Sequence, residues 1–217
     1  MLKYVLAISL LGVGCSDLNT IKQVNVKPKF NILSAELYDG TIKIEQESGG
    51  RCSAFVISNK LAFTAKHCLA NEWGFLYLGQ FSVYGRIMGA DKANLTTITA
   101  KVHSYSRMFD TALIEGDFKR FTKFNVDVTN ERLLMYRDKQ LVACGYALGQ
   151  DYARCFTYRM QGRIINMYQG KGYGIWGMSG GPVFDPDTGH VVGVMSAMGE
   201  GHDDIYISSL FGYPLEE

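Results

Sequence analysis

The chain has almost no net charge, no Cys-x-x-Cys pair and only 4 prolines in 217 residues. Its 22 basic and 21 acidic residues leave a net charge of +1, so nothing drives it towards a phosphate backbone. Nucleic acid is excluded as a general partner. Without closely paired cysteines, zinc-ribbon and dithiol-redox readings have no support. The only run apolar enough for a membrane lies at the extreme N-terminus, which excludes a multispanning protein. Hydrophobic residues make up 47% and charged residues 20%, so general disorder is excluded as well. What is abundant is 24 Gly, 13 Tyr and 12 Phe. That mixture suits many strands joined by tight turns rather than long helices. The length allows one ordinary domain, or two small halves sharing a cleft.

Met1-Leu2-Lys3 supplies one positive charge, and Tyr4 to Gly14 follows as an apolar stretch. That stretch is far short of the roughly 20 residues a helix needs to cross a bilayer. It fits the apolar core of a secretory signal peptide. Leu11-Gly12-Val13-Gly14-Cys15 resembles a bacterial lipobox, although Gly12 stands where leucine is most usual. The resemblance implies a diacylated Cys15 as the first mature residue and a lipid anchor in the bacterial envelope, periplasmic or surface-exposed. An ordinary cleaved signal with a secreted product, or an uncleaved anchor, is the alternative. Residues 1–14 are thus read as signal and 15–31, polar and lysine-bearing, as tether. With Cys15 lipidated, Cys52, Cys68, Cys144 and Cys155 remain for an oxidising compartment, with three possible connectivities. Pairing sequence neighbours gives Cys52–Cys68 and Cys144–Cys155, each closing a short loop worth about 3 kcal/mol.

From Ile32 onward strand signals are dense. Ser53 to Ser58 and Leu61 to Ala65 are apolar runs around Asn59-Lys60, a hairpin with a two-residue turn. Gly74 to Tyr84, Thr96 to Val102 and Thr111 to Glu115 continue the pattern. Phe118 to Arg132 is charged and aperiodic and reads as the link between two halves. Leu141 to Tyr146, Cys155 to Met160, Gly162 to Tyr168, Pro182 to Phe184, His190 to Ser196 and Ile205 to Ser209 form the second set. Short strands at this spacing predict an all-β sandwich or pair of barrels.

Three stretches carry chemistry: Thr64-Ala65-Lys66-His67-Cys68, Phe109-Asp110-Thr111-Ala112, and Gly177-Met178-Ser179-Gly180-Gly181-Pro182. A serine hydroxyl is a poor nucleophile at neutral pH and needs a base beside it. Histidine suits that task, and a carboxylate behind the ring fixes its tautomer. Taken singly, each stretch also fits a structural role: a strand-end His-Cys, a turn Asp with Asp117 nearby, a common glycine loop. Chance must place all three in order, so they are read together. His103, His190 and His202 lack such context and read as solvated or structural.

These motifs, in this order, resemble the trypsin/chymotrypsin-like serine proteases over roughly Gly49 to Ser209. The resemblance implies an all-β fold of two six-stranded antiparallel β-barrels of the chymotrypsin type, with the active site in the cleft between them. The N-terminal barrel would span 32–117, the link 118–133 and the C-terminal barrel 134–217. It also implies Ser179 as nucleophile, His67 as base and Asp110 as its orienting acid. The N–H groups of Gly177 and Ser179 would form the oxyanion hole. Disulfides Cys52–Cys68, beside the histidine, and Cys144–Cys155, in the second barrel, are implied too.

The sequence departs from animal members of that family at Met178, where an aspartate would pair with a newly cut N-terminus. Activation by N-terminal insertion is therefore not expected. The short C-terminus, with Pro214, has no room for their terminal helix, so the chain resembles a compact bacterial form. Aligned outward from Ser179, Tyr173 and Gly174 fall at the floor of the primary pocket and Trp176 at its mouth or in the core. Ser196, Ala197 and Met198 resemble the wall that pairs with extended substrate. With no acid at the floor, a shallow apolar pocket for small or aliphatic side chains is expected. No metal or organic cofactor is needed. The function expected is a serine endopeptidase acting on protein or peptide substrates. The alternatives are a silent binding module on the same fold and an esterase-like hydrolase.

Overall fold

The computed structural model describes residues 39–46, 49–71, 73–77, 79–86, 95–128, 136–164, 167–172, 174–199 and 203–210. The signal, tether and Cys15 readings lie outside them. Six strands form the first closed barrel: β1 (Thr41–Glu45), β2 (Arg51–Val56), β3 (Leu61–Thr64), β4 (Gln80–Gly85), β5 (Thr96–Tyr105) and β6 (Ala112–Gly116). They pair antiparallel in the order β1-β2-β3-β6-β5-β4. The second barrel uses β7 (Gln140–Gly145), β8 (Arg154–Ile164), β9 (Met167–Lys171), β10 (Pro182–Phe184), β11 (Val191–Met198) and β12 (Asp204–Ser209), in the order β10-β11-β12-β9-β8-β7. The architecture is therefore two closed six-stranded antiparallel barrels. Closure removes every free sheet edge, which suits strands as apolar as Ala54-Phe55-Val56.

Several local expectations change. The β2–β3 turn runs from Ile57 to Lys60 rather than over Asn59-Lys60 alone. Ser58 Oγ accepts from the N–H groups of Lys60 (3.2 Å) and Leu61 (3.0 Å), which favours the longer turn. The strand expected from Gly74 starts only at Gln80, because Asn71 Oδ1 captures the N–H groups of Trp73 and Phe75, both at 3.0 Å, and folds a turn instead. Two strands expected over residues 155–168 are one long β8 followed by β9. An irregularity between Met160 and Gly162 lets β8 bend and run on as a single strand.

The segment between barrels is no loose tether. Phe118, Phe121 and Phe124 are all buried. Phe124 stands edge-on to Phe184 of β10 at 5.2 Å and contacts Phe55 of β2 at 6.4 Å, joining the barrels through one aromatic ring. Beyond it, Asp127 N–H donates to Val191 O and Val191 N–H to Asn125 O, both at 2.8 Å. Disulfides join Cys52 to Cys68 and Cys144 to Cys155.

Candidate active site

His67 sits in a single 3-10 turn, Lys66–Leu69, directly after β3. Cys68 in that turn is bonded to Cys52 on the neighbouring β2, so the histidine is held at a fixed distance from the barrel wall. Gln46 Nε2 donates to Cys68 O at 2.9 Å and closes the other side. Asp110 ends the turn between β5 and β6. Ser106 Oγ accepts from the N–H groups of Met108 (3.2 Å) and Phe109 (3.0 Å), and Ser106 N–H donates to Thr111 O at 2.9 Å. Lys66 Nζ donates to Ser106 O at 3.1 Å and ties the two turns together.

The carboxylate collects three donors. Asp110 Oδ2 faces His67 Nδ1 at 2.6 Å and accepts from Ser196 Oγ at 2.5 Å, while Oδ1 accepts from His67 N–H at 2.9 Å. Burial opposes ionisation of Asp110. The hydrogen bond from the His67 ring, the ring's charge, the Ser196 hydroxyl and the His67 N–H together outweigh it and hold the carboxyl below the usual range. A carboxyl lowered in the folded state stabilises the fold above its unfolded value, about 3.9. That contribution disappears as pH falls through the lower folded value. Acid unfolding of the Ser179→Ala protein should therefore steepen below about pH 4, and Asp110→Asn in that background should flatten the slope. Identical slopes would contradict the assignment.

Ser179 lies in the turn before β10. Its hydroxyl donates to Ser196 O at 3.1 Å, and its carbonyl accepts from Ser53 N–H at 2.7 Å. Among the described residues no hydrogen bond joins the Ser179 hydroxyl to His67. Ser196 thus touches both the acid, through Oγ, and the serine, through its carbonyl. Sequence reasoning placed Ser196 in the substrate wall and missed this second contact. The signal was a lone hydroxyl ending the apolar run Val191 to Met195.

The loop before Ser179 presents its N–H groups. Every carbonyl from Trp176 to Ser179 is engaged: Trp176 O by Leu148 N–H (2.6 Å), Gly177 O by Ser53 Oγ (2.8 Å), Met178 O by Gly181 N–H (2.9 Å) and Ser179 O by Ser53 N–H. In a trans peptide the N–H points opposite the preceding residue's carbonyl, so the Gly177 N–H faces away from Leu148 and the Ser179 N–H away from the Gly181 N–H. Neither donates to a described acceptor. Gly177 has φ 94°, and a Cβ there would overlap Tyr146 O. Met178 is fully buried with its side chain in the second core, so an apolar anchor replaces an ion pair at this position.

Around the pocket, a Cβ on Gly174 would lie 2.6 Å from Met198 Cβ and 3.4 Å from Ile205 Cγ2. Met198 therefore packs directly against the Gly174 backbone. Ala197 and Met198 end β11 half-buried, opposite Tyr206 and Ile205. Trp176 is 70% exposed, which removes the core alternative for it. Tyr173 lies outside the described residues. His103 faces Glu115 at 3.7 Å on the surface of the first barrel. The one His/Cys/acid cluster among the described residues is Cys52, His67 and Cys68. Its sulfurs are bonded to each other and offer no thiolate to a metal.

A paired-barrel fold with a His–carboxylate pair beside a serine, and peptide N–H groups turned outward next to it, defines a serine hydrolase of the chymotrypsin type. Residues 52–194 match the model of the trypsin-like peptidase domain, and the chain belongs to that family of serine-type endopeptidases. Solved structures agree on the fold. Rv3671c from M. tuberculosis H37Rv, as an inactive-form serine-to-alanine mutant, is 18% identical with TM-score 0.61, covering 84% of this chain and 86% of that one. Deg5 is 16% identical with TM-score 0.63, covering 81% and 85%. A Glu endopeptidase is 17% identical with TM-score 0.62, covering 81% and 86%. No curated protein sequence matches the chain.

Proposed function

We propose that Ser179, His67 and Asp110 act as a catalytic triad that cleaves peptide bonds through an acyl-enzyme. The observation that carries this reading is the 2.6 Å contact between His67 Nδ1 and Asp110 Oδ2. It leaves the far ring nitrogen as the base. For attack, the Ser179 hydroxyl leaves Ser196 O, which it meets at 3.1 Å, and turns to that nitrogen. Ser179 Oγ then attacks the substrate carbonyl carbon as its proton passes to His67, and the carbonyl oxygen becomes an oxyanion between the Gly177 and Ser179 N–H groups. Collapse breaks the C–N bond, and His67 returns the proton to the leaving amine. Water, deprotonated by His67, then hydrolyses the ester and restores Ser179.

The Gly174–Met198 contact supports a shallow pocket, and with it a P1 residue of small or aliphatic type. The lipobox-like Leu11–Cys15 stretch supports an enzyme tethered in the bacterial envelope through a lipidated Cys15.

One experiment addresses all three parts. Cells expressing the full chain are labelled with a fluorophosphonate, fractionated and analysed by mass, and the active protein is assayed on a tetrapeptide series differing at P1. The expected result is one adduct in the membrane fraction, lost in Ser179→Ala and shifted to the soluble fraction in Cys15→Ala. Ala and Val should be cleaved faster than Phe or Arg. No adduct on folded wild type would favour a binding module instead. Ester turnover without peptide cleavage would favour the esterase, a soluble adduct in wild type would remove the anchor, and preference for Arg or Phe would remove the shallow pocket.

A further inference from the structure

We infer that Ser53, a buried residue of the first barrel, is the positioning residue that sets the oxyanion loop of the second. The inference deepens the triad reading and rests on it. Ser53 is fully buried on β2, next to the disulfide cysteine Cys52. It grips the loop on both sides of Met178: its N–H donates to Ser179 O at 2.7 Å, and its Oγ donates to Gly177 O at 2.8 Å. The same Oγ accepts from Tyr146 N–H at 2.8 Å, at the end of β7. A hydroxyl accepts from one backbone group and donates to another through a single oxygen, in the space of a serine side chain.

The geometry gives this relay a direction. Tyr146 begins the turn that carries Leu148, whose N–H holds Trp176 O at 2.6 Å. Leu148 has φ 55°, a left-handed conformation that a leucine does not adopt unaided. Arg51 on β2 holds the Leu148 carbonyl at 3.1 Å. Two residues of one strand, Arg51 and Ser53, on either side of Cys52, therefore fix both the 146–149 turn and the 177–179 loop. Leu148 turns the Trp176 carbonyl inward, which leaves the Gly177 N–H of the same peptide pointing outward, and Ser53 Oγ fixes the next peptide through the Gly177 carbonyl while holding the Tyr146 N–H that leads into the Leu148 turn. The loop is set by contact between barrels, with no acid at position 178 to receive a chain terminus.

A positioning role of this kind acts on the transition state more than on the ground state. Ser53→Ala should lower kcat about 100-fold with KM within about threefold, because it frees the Gly177 carbonyl and the Tyr146 N–H and so loosens the turn that orients one oxyanion donor, the Gly177 N–H. The inhibition constant of a peptide boronate, which forms a tetrahedral adduct on the serine, should rise by the same factor. Thr and Val have the same shape, so Ser53→Thr should retain activity that Ser53→Val loses. Tyr136→Phe removes a buried hydroxyl bond to Asp185 in the second barrel, 3.2 Å long, and controls for stability loss alone. It should lower the melting temperature and leave kcat unchanged.

A folded Ser53→Ala enzyme with kcat near wild type would overturn the inference, as would a KM effect alone. If Ser53→Ala does not fold, equal kcat in the Thr and Val variants would overturn it. Phosphonate titration of wild type separates the two levels of the argument. An unlabelled wild type removes the triad reading and this role with it, whereas a labelled wild type with an indifferent Ser53 removes this role only.

Discussion

His67→Ala should lower kcat on peptide substrates by about 10⁶, and Asp110→Asn by about 10⁴, with KM little changed in either. In the proposed triad, removal of the ring removes the base that takes the Ser179 proton. The smaller effect of the amide follows from hydrogen-bond counting at Asp110. Its two oxygens receive His67 Nδ1, His67 N–H and the Ser196 hydroxyl. An asparagine offers one oxygen and one NH2 group to the same three donors. At least one donor is left facing a donor, and where that is the ring nitrogen, the imidazole proton moves to the nitrogen that should stay free for Ser179. The ring then occupies the right place in the wrong tautomer. The check is steady-state kinetics with enzyme concentration set by phosphonate titration of wild type and by mass for the variants. Because the three residues act as a unit, His67→Ala combined with Ser179→Ala should be no slower than the worse single variant. A His67→Ala enzyme within tenfold of wild type, or additive losses in the double variant, would show that a different base operates.

The candidate triad stood out in the sequence for a physical reason. Nucleophile, base and acid each need a fixed residue type within a strict local backbone, so Thr-Ala-Lys-His-Cys and Gly-Met-Ser-Gly-Gly-Pro leave a local imprint. The all-β expectation was legible because Ala54-Phe55-Val56 and Val191 to Val194 are buried strands that show as apolar runs, while the choice of two barrels over a sandwich came from the resemblance of the motifs. What sequence did not disclose depends on partners far along the chain. Ser53 reads as one more small strand residue until Gly177, 124 positions later, is seen against its hydroxyl. The burial of Phe118, Phe121 and Phe124 was likewise hidden among the lysines and arginines of a segment with no strand period. The strand expected from Gly74 failed because one side chain, Asn71, outbid a run of aromatic residues for the backbone. Trp73 and Phe75 are left 76% and 72% exposed on that turn as a result.

Gly180→Ala should be among the most damaging single methyls at the described glycines. It should lower stability by about 4 kcal/mol, and kcat/KM by at least about 100-fold in whatever fraction folds. Two costs combine. Gly180 has φ 86°, in the region that disfavours any side chain. A Cβ there would also overlap the Ser53 carbonyl oxygen and Thr64 Oγ1, and would come within 3.0 Å of Ala65 N. None of these atoms can yield cheaply. Ser53 O is itself held by Thr64 Oγ1 at 2.8 Å, and Thr64-Ala65 leads straight into the His67 turn. Relief therefore requires β2 and β3 to back away from the Ser179 turn, which moves the base from the nucleophile and stretches the Ser53 grip on the loop. Gly49→Ala separates the two costs, because Gly49 has φ 82° but meets nothing within 4 Å. It should lose only about 1–2 kcal/mol and keep full activity. Urea unfolding and titrated kinetics on both variants decide the point. Equal losses in the two would mean that backbone conformation alone makes Gly180 necessary, and that the contact between the barrels at the Ser179 turn is looser than these distances imply.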